Sequence, residues 1–177
     1  VGRWDGARWS WSLQLGAPEL DARTRFAFDA HRGRIVALQP GPAMVEVHEW
    51  DGAQWWSLPA ATGPTTRTEP AFAFDPTADR CVLYGGTAGG SALGDCWGWD
   101  GSTWTLLSGN ATPGPRSGAA LAFAQTLGGL MLYGGDASTT TWRLAGASWH
   151  AVATAHAPAP RARALLVQDP LGMLLCG

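Results

Sequence analysis

Small and large apolar residues alternate in short runs along the chain, as in Ala71-Phe72-Ala73-Phe74 and Ala119-Ala120-Leu121-Ala122-Phe123. A period of two puts Phe or Leu on one face of an extended strand and Ala on the other. A turn signal follows, Asp75-Pro76 or Asp169-Pro170, and both residue types preset turn geometry. Next comes an apolar second strand: Arg34-Ile35-Val36-Ala37-Leu38, Cys81-Val82-Leu83-Tyr84, Leu130-Met131-Leu132-Tyr133 and Met173-Leu174-Leu175-Cys176. Two copies end in a glycine pair, Gly85-Gly86 and Gly134-Gly135, where the backbone can leave the sheet with positive φ or approach a neighbour closely. A third strand is expected over Met44 to Trp50, Asp95 to Trp99 and Thr140 to Leu144, and two copies run into Asp-Gly, a hairpin signal. The fourth starts at Trp9, Trp55, Trp104 or Trp149. No segment has helical periodicity of useful length.

The pattern is an internal repeat. Trp4-Asp5-Gly6-Ala7-Arg8-Trp9 recurs as Trp50-Asp51-Gly52-Ala53-Gln54-Trp55, as Trp99-Asp100-Gly101-Ser102-Thr103-Trp104 and, degenerate, as Leu144-Ala145-Gly146-Ala147-Ser148-Trp149, at spacings of 46, 49 and 45 residues. Phe28, Phe74, Phe123 and Gln168 follow each copy by 24 residues, Pro18, Pro64, Pro113 and Pro158 by 14, and Asp21, Arg67, Arg116 and Arg161 by 17. The first unit therefore carries Asp where the other three carry Arg. Four antiparallel strands every 45 to 49 residues is the signature of a propeller blade. A blade cannot bury both faces alone, so adjacent blades stack, and nine of the 11 Trp sit at repeat positions where they read as packing between blades. Trp11 and Trp56 fall outside the pattern and are free for function.

The pattern resembles kelch repeats. The matching features are the glycine pairs 85/86 and 134/135, the Asp95-Cys96-Trp97 opening of a third strand, the Trp of the fourth, and Pro113-Gly114-Pro115-Arg116 and Pro158-Ala159-Pro160-Arg161 leading into the next blade. The resemblance covers essentially the whole chain. Gln39-Pro40 replaces the glycine pair in the first full blade, and the His common shortly after the family's Arg is absent. The resemblance implies an all-β fold, a β-propeller of kelch-type four-stranded antiparallel blades, with three complete blades plus two partial ones in one domain over 1–177. The blades are expected at about 1–15 (partial), 21–60, 67–109, 116–153 and 161–177 (partial). Two arrangements are open: a segment of a larger propeller of six or seven blades, or a four-bladed ring closed by joining the two remnants.

Composition narrows the chemistry. Charged residues make up 15% of the chain, against roughly 25% in ordinary soluble proteins. The 12 basic residues, all Arg, face 14 acidic ones without forming a run, which argues against a nucleic-acid partner. No apolar run approaches the roughly 20 residues of a membrane-spanning helix. The absence of Lys with abundant Ala, Gly and Pro suggests a GC-rich bacterial source, and the low charge points to an extracellular or cell-envelope location, with the odd count of 3 Cys pulling the other way. Cys81 and Cys96 read as buried thiols rather than metal ligands. Neither a metal nor another cofactor is expected. His31, His48, His150 and His156 occupy unrelated repeat positions, while Asp29, Asp75 and Asp169, and Asp5, Asp51 and Asp100, recur as turn-makers. Tyr84 and Tyr133 recur in the second strand and read as core, not as the Tyr ligands of the copper-dependent galactose oxidase-like enzymes within the kelch group. Sialic-acid mutarotase-like activity also occurs there, and no residue identifies it. Asn110-Ala111-Thr112 matches a glycosylation acceptor.

Two sets of residues are candidates for binding. Arg67, Arg116 and Arg161 recur at the start of a blade near its innermost strand and could ring a central channel; alternatively, each guanidinium ties neighbouring blades through backbone carbonyls. The length-variable loops between second and third strands, Gly41 to Pro42, Thr87 to Gly94 and Asp136 to Ser138, would lie together on one face of a propeller, where binding residues accumulate; Thr87, Ser91, Asp136 and Ser138 in them, Asp95 at the start of the next strand and the unrepeated Trp56 are the candidates. The expected function is a non-enzymatic scaffold for a protein or glycan, with possible self-association through open blade edges. The alternative is a segment of a secreted carbohydrate-active or oxidase-like enzyme whose catalytic residues lie elsewhere.

Overall fold

The structure, a computed structural model, describes residues 2–11, 17–107 and 113–177. The Asn110-Ala111-Thr112 acceptor and the ends of the 1–15 and 67–109 blades lie outside the described residues. The all-β class is as expected. Strands β1 (Gly2–Trp4) and β2 (Trp9–Trp11) form a hairpin. A first four-stranded sheet follows: β3 (Arg25–Asp29), β4 (Arg34–Pro40), β5 (Val45–Trp50) and β6 (Trp55–Leu58). The second contains β7 (Ala71–Asp75) and β8 (Arg80–Tyr84), then a small ribbon β9 (Thr87–Ala88) and β10 (Ser91–Ala92), then β11 (Cys96–Trp99) and β12 (Trp104–Leu106). The third is β13 (Ala120–Ala124), β14 (Gly129–Tyr133), β15 (Thr141–Ala145) and β16 (Ser148–Val152), and β17 (Leu165–Asp169) pairs with β18 (Gly172–Cys176). Every pairing is antiparallel and each four-stranded sheet runs in sequence order. The ribbon β9–β10 was expected to be plain loop.

Register carries the repeat into three dimensions. Phe28, Ile35, Trp50 and Trp55 form one row across the first sheet; Phe74, Cys81, Trp99 and Trp104, and Phe123, Leu130, Leu144 and Trp149, form the same row in the next two. The Trp-x4-Trp spacing is thus a cross-strand pair closing the third hairpin, with ring centroids 5.7, 5.7 and 5.3 Å apart for Trp4–Trp9, Trp50–Trp55 and Trp99–Trp104. Within each such turn the Asp carboxylate accepts two backbone N–H bonds: Asp51 from Ala53 and Gln54, both 2.8 Å, and Asp100 from Ser102 and Thr103, both 2.8 Å.

The sheets stack face to face in chain order, with β3 beside β7, β7 beside β13 and β13 beside β17. Val36, Leu38, Val45 and Val47 of the first sheet bury Phe72, Phe74, Leu83 and Trp99 of the second. Val82, Tyr84 and Cys96 of the second meet Leu130, Leu132, Leu144 and Trp149 of the third. Cys81 and Cys96 are buried free thiols, pushed up to about 12 chiefly by burial, and Cys176 is an exposed one.

The glycine pairs join the sheets. Gly86 donates to Arg116 O at 2.9 Å and Gly135 to Arg161 O at 2.8 Å. Gly85 has φ +63°, and a Cβ there would lie 2.5 Å from Arg116 O, so no other residue fits. Where Gln39-Pro40 replaces the pair, docking moves down the chain: Thr66 donates to Ala43 O (2.9 Å) and Val45 to Pro64 O (3.1 Å). Two residues after each Arg the backbone is left-handed, at Glu69 (φ +53°), Gly118 (+67°) and Arg163 (+61°). Gly118 N–H donates to Glu69 O and Arg163 N–H to Gly118 O, at 2.9 and 2.7 Å, linking three successive sheets. The Arg163 guanidinium also reaches across Gly118 to Glu69, with Nε donating to Oε1 at 2.7 Å.

At the two ends the outer faces are partly exposed among the described residues. The sheets β1–β2 and β17–β18 stay separate, so the composite closing sheet of a four-membered ring is not formed among the described residues. Trp4 and Trp9, expected to pack as core, are 51% and 60% exposed. Phe28 is 60% exposed although its counterpart Phe74, in the same row, is 9% exposed.

Candidate functional site

The repeated Arg residues are tied into the chain itself. The Arg67 guanidinium is buried and donates to Gly85 O (3.0 Å), Thr65 O (2.9 Å) and both oxygens of Asp95 (2.6 and 2.9 Å). Arg116 repeats this with Gly134 O (3.0 Å), Pro113 O and Asp136 (2.9 Å). Its backbone meanwhile holds the preceding sheet, accepting from Gly86 and donating to Leu93 O. Each clamp therefore pairs two of the sequence candidates with each other, and the planar fork suits a carbonyl beside a carboxylate. Asp95 lies below its usual range: burial raises it, but Arg67 and the Trp97 indole more than compensate. Arg161 has a looser set, Ala159 O (3.2 Å) and Gly177 O (2.6 Å), and is half-buried.

The remaining loop candidates are divided. Thr87 Oγ1 donates to Ser117 Oγ at 2.8 Å and Ser91 is exposed on β10. Ser138 is held in a turn, its N–H donating to Asp136 Oδ1 and its Oγ accepting from Thr140. Trp56 is 46% exposed and stands apart from all of these, on β6.

The first sheet breaks the repeat, and both sides of it carry unrepeated polar groups. Toward the second sheet, Asp29 caps the β3–β4 turn and leaves Arg32 able to reach Asp29 Oδ2 (2.6 Å) and to fork onto both Glu49 oxygens (2.9 and 2.8 Å). Glu49 also accepts from the Trp99 indole at 3.3 Å. Burial alone would lower Arg32, but Glu49 and Asp29 outweigh it and raise the guanidinium above its ordinary value, so it stays charged. Among the described residues, Arg34 makes two long contacts, 4.0 Å to Glu49 and 3.8 Å to Asp51, and no hydrogen bond. The Trp56 indole donates to Asp51 Oδ2 at 2.9 Å, and this bond, with two backbone N–H bonds, brings the Asp51 carboxyl down to about 2. Arg32, Arg34, Glu49, Trp56, Leu58 and Gly101 line a groove of about 500 Å³. Of this cluster only Trp56 was singled out from sequence for binding. The signal for the rest was the departure from repeat: Gly98 and Arg143 align with Glu49.

Among the described residues, no three of His, Cys, Asp and Glu come together in a way that could hold a metal ion, and no helix is long and apolar enough to cross a membrane. The chain matches no family model and no curated protein.

Proposed function

We propose that the chain is a run of kelch-type propeller blades acting as a non-enzymatic scaffold that binds a glycan in the Arg34–Trp56 groove. Support for the blade reading comes from three sheets that keep sequence order, share one register and stack with their first strands adjacent. The observation that carries the binding reading is an exposed indole fixed in orientation by Asp51 beside a guanidinium that makes only long contacts among the described residues. An anchored aromatic face offers a rigid apolar platform to the C–H face of a sugar ring, and Arg34 with Asp51 meets its hydroxyls. The ion pairs of Arg32 with Glu49 and Asp29 brace the groove floor and are already satisfied. An exported or envelope location belongs to the same reading, since saccharide surfaces are encountered there.

The test is titration of a panel of neutral and acidic saccharides, read by Trp fluorescence and calorimetry. Binding with Kd of about 1 mM or tighter, weakened at least about tenfold by Trp56→Ala and by Arg34→Ala, is expected. Saturable binding of a protein partner that Trp56→Ala abolishes, with no saccharide bound, would move the scaffold to a protein ligand. Turnover of a saccharide would replace the scaffold by an enzyme.

A further inference from the structure

We draw no further inference here: the strongest candidate, the exposed aromatic face that Trp4, Trp9 and Trp11 form on the β1–β2 hairpin, carries nothing because nothing in the structure shows what covers it.

Discussion

Replacing Arg116 by Ala removes a guanidinium that is 1% exposed and donates to Gly134 O, Pro113 O and the Asp136 carboxylate. Breaking a buried ion pair by deleting one partner costs about 3–5 kcal/mol. Asp136 is partly open to water and can be resolvated, which places the ion-pair loss at the lower limit, and the orphaned carbonyl of Gly134 adds a further 1 kcal/mol or so. The expected destabilisation is about 3–4 kcal/mol, which for a chain of this size lowers Tm by roughly 6–16 °C. Arg161 provides the control. It stands at the same repeat position but bonds only carbonyls and is half-exposed, so Arg161→Ala should cost under about 1 kcal/mol. Urea unfolding followed by Trp fluorescence measures both, with Arg116→Lys as a third variant, because a single ammonium cannot serve the carbonyl and the carboxylate together. Equal losses for Arg116→Ala and Arg161→Ala, or full stability in Arg116→Lys, would refute the clamp.

Phe74→Ala should destabilise by about 3–5 kcal/mol, since the ring is buried against the first sheet, whereas Phe28→Ala, at the equivalent position with its ring exposed, should cost under about 1 kcal/mol; comparable losses in denaturant melts would mean that Phe28 is covered. The Asp51 carboxyl, brought down to about 2 by Trp56 and backbone donors, should titrate with that midpoint rather than near the unfolded value of about 4. Its folded-state value is depressed, so its contribution is complete above about pH 4 and is lost as pH falls through about 2. The Trp56 indole N–H resonance should shift with that same midpoint, and a shift centred near 4 would break the Asp51–Trp56 link.

Much of this architecture was legible along the chain because a repeat constrains itself. Constant offsets among Trp, Phe, Pro and Arg could persist only if those residues met the same neighbours in each unit, and the observed rows of Phe, Trp and their partners run through the same repeat positions in each sheet. The Asp turns and the glycine pairs were legible for a local reason: a carboxylate reaching N–H groups two and three residues on, or a positive φ, is written in a few consecutive residues. The candidate site was legible only as an irregularity. Asp21 in place of Arg, and Gln39-Pro40 in place of the glycines, marked the first unit as different without saying what its side chains would do.

The tertiary structure decided what depends on distant partners. Arg67 and Asp95, both candidates for a ligand, lie 28 residues apart and satisfy each other; Arg32 spends its fork on Glu49, 17 residues away, while Arg34, two residues on, makes only long contacts among the described residues. Phe28 and Phe74 occupy identical places in their strands, yet one is exposed and the other is core. Alternation along a strand determines which face a side chain takes, but burial is a property of the face's neighbour, and only the stacking of the sheets says which faces have one.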